Sequence, residues 1–548
     1  MILYPQQQPP LLSHRVSSVA HSTHTSAPSV HTHSEHASFL RIAADITSPP
    51  PKPKSETKAR LKNWYLGAPG TLLGAALGLL LGYVVTTDPI YETLRDWDFR
   101  YGKTAEKCLL QLGFLYLRAV SCVMFPLTIT NLTLVSAEIT TSKRLSRVGG
   151  RVVVCSFFTS ALVVSLGVFV AVSLADFFEG RKFSFRLAPF AFGCPSGNAT
   201  YVQVNKKTHA LFCAPTKEKS LQKLGFLLND TDKLWELAPT VNQFVDFGSV
   251  AREVLNVVFR VAPTNFSKAS NANLVQLVLY ALAFGVAVGL SNRDAKTNTP
   301  MLVLRELVAI FETMTSWVVL FTPLALIPLV AGPIYAGTHN AFGGMSKDFP
   351  QGNDIVHVLY YTAAYVGVAA FHALVVLPIL LVVSTCSNPF RLLWRMKEAL
   401  AYAFGTSSSR KSLPVLRSSY DRAMGRSTQS KSCFVLQVGA SLNMSGGALY
   451  IAMSLVWLFY NAGLKDFFTP TKMVLAGVIS TIGSYAVAPV RNGGIAAVIV
   501  AYAMLTGLPT PYAFNFLLLA ECIVDPISTL LNAWSNVVVT RIVERTFN

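Results

Sequence analysis

Long apolar segments recur along the chain from residue 68 to the C-terminus, and short polar segments separate them. A run of about 20 apolar residues with few charges is long enough to cross a bilayer as a helix. The chain is therefore expected to be an all-α polytopic membrane protein. Uninterrupted spans are predicted over Ala68–Thr86, Cys108–Val135, Val148–Ala175, Leu274–Leu290, Met301–Gly332 and Ile355–Thr385.

Two later apolar segments, Ala399–Leu416 and Lys472–Leu505, are interrupted by polar or glycine-rich tips. The first tip is Gly405–Pro414, and the second runs from Thr481 to Gly494. Each segment is too long for one half-crossing and too broken for a straight span, so each is predicted to be a re-entrant hairpin. The alternative is an ordinary loop, which the apolar flanks argue against. Paired interrupted segments point to the binding site of a secondary transporter.

Between these hairpins, the apolar run Cys433–Tyr460 is broken by Asn443-Met444-Ser445-Gly446-Gly447. Irregular backbone inside a bilayer is tolerated only where protein or a cavity surrounds it, because every backbone group needs a partner. Unwound carbonyls in such a break can bind a cation. The alternative is a glycine-rich face that packs against another helix.

The last predicted span, Pro511–Val543, carries a stripe of polar residues. Its members occupy one face about 80° wide at helical spacing, and they are Glu521, Asp525, Thr529, Asn532 and Asn536. Carboxylates inside a membrane are costly and generally mark a functional site. The alternative is that Glu521 and Asp525 only pair with cations elsewhere in the bundle.

Composition and charge agree with a membrane protein. Of the 548 residues, 52% are hydrophobic and 14% are charged, and the mean hydropathy is +0.44. The net charge of +18 gathers in short segments between apolar runs, as in cytoplasmic loops. The N-terminus and the C-terminus are therefore expected in the cytoplasm, and the pattern gives no sign of nucleic-acid binding.

Two polar regions lie outside the predicted membrane core. Residues 1–62 are rich in Pro, Ser, His and Gln and are expected to be a disordered cytoplasmic tail. Residues 176–273 are expected to be an extracytoplasmic loop with glycosylation sequons at Asn198, Asn229 and Asn265. Cys194 and Cys213 in this loop are candidates for a disulfide. The remaining parts are residues 63–175 (helices 1–3), 274–385 (helices 4–6) and 386–548 (transport core).

The order of Gly405–Pro414, Gly439–Tyr450, Thr481–Pro489 and Asp525–Asn536 resembles the glutamate transporter and dicarboxylate/amino acid:cation symporter family. The likeness extends from Trp64 to the C-terminus. It implies eight transmembrane helices, two re-entrant hairpins and a transport core that slides like an elevator against a trimeric scaffold.

The resemblance implies an amino acid substrate whose ammonium group is held by Asp525. Its substrate contacts fall on Ser408, Ser409, Arg410, Gly447, Ser484, Pro489, Asp525, Ser528, Thr529 and Asn532. Acidic-substrate members have an arginine at the position of Ser528, so a neutral side chain is favoured. Arg410 nevertheless keeps acidic substrates open.

The resemblance also assigns a coupling cation. The matching positions are Thr159, Ser160, Gly439, Ser441, Asn443, Thr481, Asn532 and Asn536. Two aspartates of the family are Ser445 and Asn536 in this chain, which removes two negative charges beside the cation. Reduced sodium coupling is expected, or proton coupling through Glu521 or Asp525. Arg410, Lys411 and Arg491 either act as built-in countercharges or reach water from the hairpin ends.

The predicted function is secondary active symport of amino acids by a multi-pass glycoprotein of the plasma membrane. Membrane lipid, a small-molecule substrate and two further copies of the chain are the expected partners. The alternatives are a transporter of dicarboxylates or other anions, an anion-conducting relative, and a non-transporting membrane protein. No catalytic motif with its needed context occurs, so neither an enzyme nor a cofactor is predicted.

Overall fold

The part of the chain that the structure describes folds into a bundle of mainly apolar helices. The computed structural model describes residues 64–65, 68–87, 89–94, 104–141, 143–178, 200–204, 211–215, 274–291, 299–338, 353–425, 430–461, 464–465, 468–506, 511 and 513–546. The predicted N-terminal tail, Cys194 and the three sequon asparagines lie outside these residues, as does the side chain of Cys213.

Six α-helices precede residue 340 within the described ranges. They are α1 (Ala68–Val85), α2 (Thr104–Thr140), α3 (Lys143–Ser173), α4 (Leu274–Ser291), α5 (Thr299–Leu320) and α6 (Thr322–Thr338). A short antiparallel pair, β1 (Thr200–Val204) and β2 (Leu211–Pro215), lies between α3 and α4 and adds a strand pair to the all-α expectation.

The fifth predicted span is two helices rather than one. The axes of α5 and α6 differ by 53°, and Phe321 lies between them. Pro323 follows at once and has no amide hydrogen to continue the helical ladder. Helix α6 also packs against α1, where a Cβ on Gly74 would stand 2.1 Å from the Pro323 carbonyl oxygen. The glycines of α1 therefore serve close helix packing.

The sixth predicted span contains a wider turn. Helix α7 (Asn353–Phe371) passes through a π-turn at His372–Val376 into α8 (Leu377–Thr385). Pro378 removes a backbone donor in this region, and the indole Nε1 of Trp534 donates to the Ala373 carbonyl at 2.9 Å. A tryptophan from the last helix thus satisfies a carbonyl that the irregular turn frees.

The last third has the predicted broken segments. Hairpin 1 consists of α9 (Pro389–Thr406) and α10 (Ser409–Met424), and hairpin 2 consists of α13 (Pro470–Gly483), a 3₁₀ turn at Ser484–Ala486 and α14 (Ile495–Thr506). The central segment breaks into α11 (Ser430–Leu442) and α12 (Ser445–Asn461), and α15 (Ala513–Arg545) follows. The arms of hairpin 1 are longer than the predicted segment Ala399–Leu416. Polar residues on one face of each helix lower the average hydropathy, so the apolar pattern alone marks only part of each arm.

Helix α15 lies at the centre of this region and packs against α7, α9, α11 and α12. Every residue from Val438 to Asn461 is buried, so the break at Asn443 is enclosed by protein. Within the described residues, six helical segments are long and apolar enough to cross a membrane, or seven if the bent α5–α6 pair counts as one span. The chain is therefore a polytopic integral membrane protein built mainly of helices.

Candidate functional site

The tips of the two hairpins meet in the middle of the helix bundle. The Ser408 hydroxyl donates to the Pro489 carbonyl at 2.9 Å, and the Arg410 amide donates to the same oxygen at 3.3 Å. Ser407 and Asn492 mark the tips with positive φ angles of 47° and 59°. Ser408 also caps α10 by accepting from the Lys411 amide. Local capping and two long-range hydrogen bonds thus hold the tips together.

A small cavity lies where the hairpin tips, the α11–α12 break and α15 converge. It is lined by a group of predicted site residues, namely Ser409, Gly447, Pro489, Glu521, Asp525, Ser528, Thr529 and Asn532. The other lining residues are Met444, Tyr450, Val487, Ala488, Val490, Gly493, Gly494 and Val524. The lining thus contains two carboxylates and no lysine or arginine. Ser408, Arg410 and Ser484 do not line it.

The cavity has a volume of about 20 Å³. A water molecule needs roughly 10–15 Å³ by the same measure, so there is room for about one water. An organic solute needs more space than this. An organic solute would therefore fit only if the hairpin tips moved apart, so the arrangement seen here is a closed one.

Two carboxylates form one wall of the cavity. Asp525 and Glu521 stand one turn apart on α15, on the face that the helical spacing predicts. The Asp525 carboxylate accepts a hydrogen bond from the Asn492 backbone amide at 3.3 Å, and the Glu521 carboxylate accepts one from the Tyr450 hydroxyl. Asp525 is thereby tied to the tip of hairpin 2, whereas Glu521 is tied to the broken helix.

Asn532 fastens the last helix to the start of α12. Its side-chain oxygen accepts from the Gly446 amide at 2.7 Å, and this amide belongs to the first turn of α12, where no helical carbonyl can reach it. A Cβ on Gly446 would stand 2.3 Å from the Ser528 carbonyl oxygen. The absence of a side chain at residue 446 is what lets the two backbones approach.

Replacing Gly446 with alanine is expected to destabilise the protein by about 1–3 kcal/mol or more, because α12 must move away from rigid backbone. The check is the melting temperature of the purified variant in detergent. Gly367→Ala is the matched control, since a Cβ at residue 367 of α7 meets nothing within 4 Å. Equal melting temperatures for the two variants would contradict the close approach.

A second buried polar cluster surrounds the Asn443 side chain next to the cavity. The Asn443 Oδ1 atom accepts from the Thr159 hydroxyl at 3.3 Å and from the hydroxyls of Ser445 and Ser535, each at 3.2 Å. The Ser445 and Ser535 oxygens are 3.0 Å apart. Predicted cation-site residues from α3 and the helix break therefore do meet.

The other predicted cation-site residues do not all join this cluster. The Asn536 amide nitrogen donates to the Leu436 carbonyl at 2.9 Å, and its oxygen faces Gly439, where a Cβ would stand 1.8 Å away. The Thr481 hydroxyl instead bonds its own helix at Gly477. The predicted substrate contact Ser484 also bonds within hairpin 2.

The atoms of the Asn443 cluster that could bind a cation are hydroxyl and amide oxygens, which suit a hard monovalent cation. No carboxylate takes part in the hydrogen bonds given above. Among the described residues, four buried polar atoms in or beside the cluster have no hydrogen-bond partner: Ser156 Oγ, Ser160 Oγ, Asn443 Nδ2 and Asn536 Oδ1. The cluster therefore fits a cation by donor type but supplies no charge to compensate it.

The basic residues of the hairpin tips point away from the small cavity. The Arg410 guanidinium bonds Glu312 on α5 and Asn131 on α2. Arg491 lines a larger, mostly apolar cavity of about 240 Å³, which α1, α2 and α6 also line. Lys411 is exposed. Asp525 and Glu521 form part of the wall of both cavities.

Several residues of these sites were not predicted from the sequence. Tyr450, Ser535 and Asn492 carry hydrogen bonds at the two sites, and Glu312 and Asn131 receive Arg410. Glu312 had an available signal, because a carboxylate inside an apolar helix is rare. Tyr450 and Ser535 had none, since isolated hydroxyls in apolar helices generally bond within their own helix.

Comparison with known proteins identifies the relatives of this chain. The model of the sodium:dicarboxylate symporter family matches residues 236–546, which is more than half of the chain. The neutral amino acid transporter B(0) of Rattus norvegicus is 29% identical over 47% of this chain and 44% of its own length. The protein of the same name from Bos taurus is 25% identical over 77% of this chain and 70% of its own.

The excitatory amino acid transporter 3 of Mus musculus is 23% identical over 87% of this chain and 84% of its own length. The chain spans about half the length of several of the curated relatives that it matches. The matched family and these relatives are transporters and not enzymes, and the resemblance carried by the hairpin tips, the Asn443 break and the Asp525–Asn536 stripe is confirmed. The chain belongs to the sodium:dicarboxylate symporter family.

Proposed function

We propose that this chain is a secondary active transporter of neutral amino acids, with Asp525 as the partner of the substrate ammonium group. The observation that carries the proposal is the closed cavity between the hairpin tips, which has two carboxylates and no cation in its lining. A substrate ammonium would compensate the Asp525 charge. A dicarboxylate would add two negative charges to a site of low dielectric constant, which is strongly unfavourable.

The choice between neutral and acidic amino acids rests on the same lining. Relatives include proteins named for neutral and for excitatory amino acids. An acidic side chain needs a cation near its carboxylate, but Ser528 occupies the cavity wall and the Arg410 guanidinium bonds Glu312 instead. A neutral side chain meets Val487, Ala488 and Val490 from hairpin 2. These contacts support a neutral substrate.

The transport cycle is proposed to be an elevator movement in a homotrimer of the plasma membrane, with both termini in the cytoplasm and glycans on the loop 176–273. In this cycle the hairpin tips separate to admit the substrate, and the closed core then slides against the scaffold. The hydrogen bonds of Ser408 and Arg410 to Pro489 are the contacts that opening would break.

Coupling is proposed to use fewer sodium ions than the family pattern implies, or to use a proton on Glu521 or Asp525. The hydrogen-bonded oxygens around Asn443 come from hydroxyls and an amide, which supports weak sodium binding. The Glu521 carboxylate lies beside Asp525 and accepts from the Tyr450 hydroxyl, so a proton could be shared within this group.

We expect Ser445→Asp to lower the sodium concentration that half-saturates uptake by about tenfold, because a new carboxylate beside a bound cation contributes at least 1–2 kcal/mol. Uptake is measured in proteoliposomes against sodium concentration at fixed ionic strength. Ser445→Asn is the control of equal size without charge. If the two variants respond alike, the Asn443 cluster is not where sodium binds.

The proposed function is tested by uptake of a panel of amino acids into proteoliposomes under separate sodium, proton and potassium gradients. Uphill uptake of neutral amino acids under one of these gradients is expected. Uptake of dicarboxylates alone would instead favour an anion transporter, which the Arg491 side of the larger cavity could serve. No uptake and no binding would indicate a non-transporting membrane protein.

A further inference from the structure

The guanidinium of Arg410 occupies a polar gap between the tip of hairpin 1 and two neighbouring helices. Its Nη1 atom lies 2.5 Å from the Glu312 carboxylate on α5, and its Nη2 atom donates to the Asn131 side-chain oxygen on α2 at 2.9 Å. The Arg410 amide is held by Pro489 of hairpin 2. One residue therefore joins both hairpin tips to α2 and α5.

The groups around this guanidinium are oxygen ligands of the kind that hard cations bind. Glu312 offers a carboxylate and Asn131 an amide oxygen, and Ser441 donates its hydroxyl to the same Asn131 oxygen at 3.4 Å. Asn131 and Ser441 are both buried. Ser441 is one of the residues that the family resemblance assigns to a coupling cation. A fixed positive charge thus stands beside a predicted cation ligand.

A second carboxylate in this region, that of Glu138 on α2, is also paired with an arginine. Glu138 lies two turns from Asn131, accepts from Arg305 at 3.1 Å and accepts from the Gln437 side chain at 3.3 Å. Each of these two carboxylates, Glu312 and Glu138, therefore has an arginine of the same chain as its partner. The chain itself supplies the positive charge in this part of the bundle.

We propose that Arg410 is a resident cation, which fills a latent cation site formed by Glu312, Asn131 and Ser441. An arginine is always charged and stays attached to the chain. A mobile sodium ion would have to displace it from a carboxylate and would meet its repulsion. Arg410 consequently supplies a positive charge at this position, and no ion has to bind there from solution. The inference rests on the proposed function and gives one structural reason for reduced sodium coupling.

The test is the melting temperature of the full-length purified protein in sodium chloride and in N-methylglucamine chloride of equal ionic strength. Arg410→Ala uncovers the three oxygen ligands, so sodium is expected to raise its melting temperature more than that of the wild type, by on the order of 2 °C near saturation. Arg410→Lys keeps a cation in place and is expected to behave as the wild type. Lys411→Ala, which removes the neighbouring exposed cation, should also show the wild-type response.

The double variant Arg410→Ala, Glu312→Gln separates this site from any other sodium site. Because it removes the carboxylate, the added sodium response should disappear. A response that persists in the double variant, or one of equal size in the wild type and Arg410→Ala, would overturn the proposal. Should Arg410→Ala fail to fold, Arg410→Gln is measured in its place with the same expectation. The readout needs no transport, so the proposed function and this inference can fail separately.

Discussion

Replacing Asp525 with alanine is expected to reduce amino acid uptake by a factor of about 100 or more. The variant leaves the substrate ammonium without its charged partner in a closed cavity, and loss of one member of a buried ion pair costs about 3–5 kcal/mol. Each 1.4 kcal/mol corresponds to a factor of ten. The measurement is initial uptake of a radiolabelled neutral amino acid into proteoliposomes.

Asp525→Asn separates charge from size, because it keeps an oxygen for the Asn492 amide and removes the negative charge. It is expected to lose uptake as well. Asp176→Asn serves as the matched control, since the Asp176 side chain after α3 is 87% exposed and does not line the cavity. Normal uptake in Asp525→Ala would show that no ammonium group is bound there.

Ser528→Arg is expected to shift selectivity from neutral toward acidic amino acids by a factor of roughly 10–100. Ser528 is buried in the cavity wall one turn after Asp525. A guanidinium there would form charge-assisted hydrogen bonds with a substrate side-chain carboxylate, each contributing about 1.5–3 kcal/mol. Selectivity is measured as the ratio of uptake rates for an acidic amino acid and its amide.

The control for this exchange is Ser528→Met, which adds a long side chain without charge. It is expected to weaken uptake of all substrates through crowding, because the closed cavity holds about 20 Å³. A similar ratio of acidic to neutral uptake in both variants would mean that residue 528 does not contact the substrate side chain.

Much of the site could be anticipated because its residues follow local rules. The stripe Glu521, Asp525, Thr529 and Asn532 lies on one helix face, so helical spacing alone brings these four side chains to one surface. The break at Asn443 and the serine-rich tip were visible as polar interruptions of apolar runs. The structure brings residues of all three features to one cavity.

The direction in which the Arg410 side chain points could not be predicted from the sequence. Its position next to Ser409 made a substrate contact plausible, yet the side chain extends to Glu312 and Asn131 on helices far away in the sequence. Which way a long side chain turns depends on the partners that tertiary packing provides, and sequence spacing does not contain that information. The same limit explains why Ser535 and Tyr450 were missed.

Some of the backbone irregularities could be predicted from the sequence and others could not. The hairpin tips and the Asn443 break lie within clusters of glycine, serine and proline, which favour a helix end. In hairpin 1 and at the break, only Ser407–Ser408 and Asn443–Met444 leave the helical conformation. The bend at Phe321 and the π-turn at His372 lie in locally apolar sequence, so hydropathy does not reveal them. The carbonyl freed at Ala373 is satisfied by Trp534, a contact that exists only in the folded bundle.

The cavity is proposed to select its substrate through an ammonium group bound to Asp525. The most direct test compares uptake of a neutral amino acid with uptake of the carboxylic acid that has the same side chain and no amino group, in wild-type proteoliposomes. We expect saturable uptake of the amino acid only. Equal uptake of both compounds, unchanged in Asp525→Ala, would contradict the account.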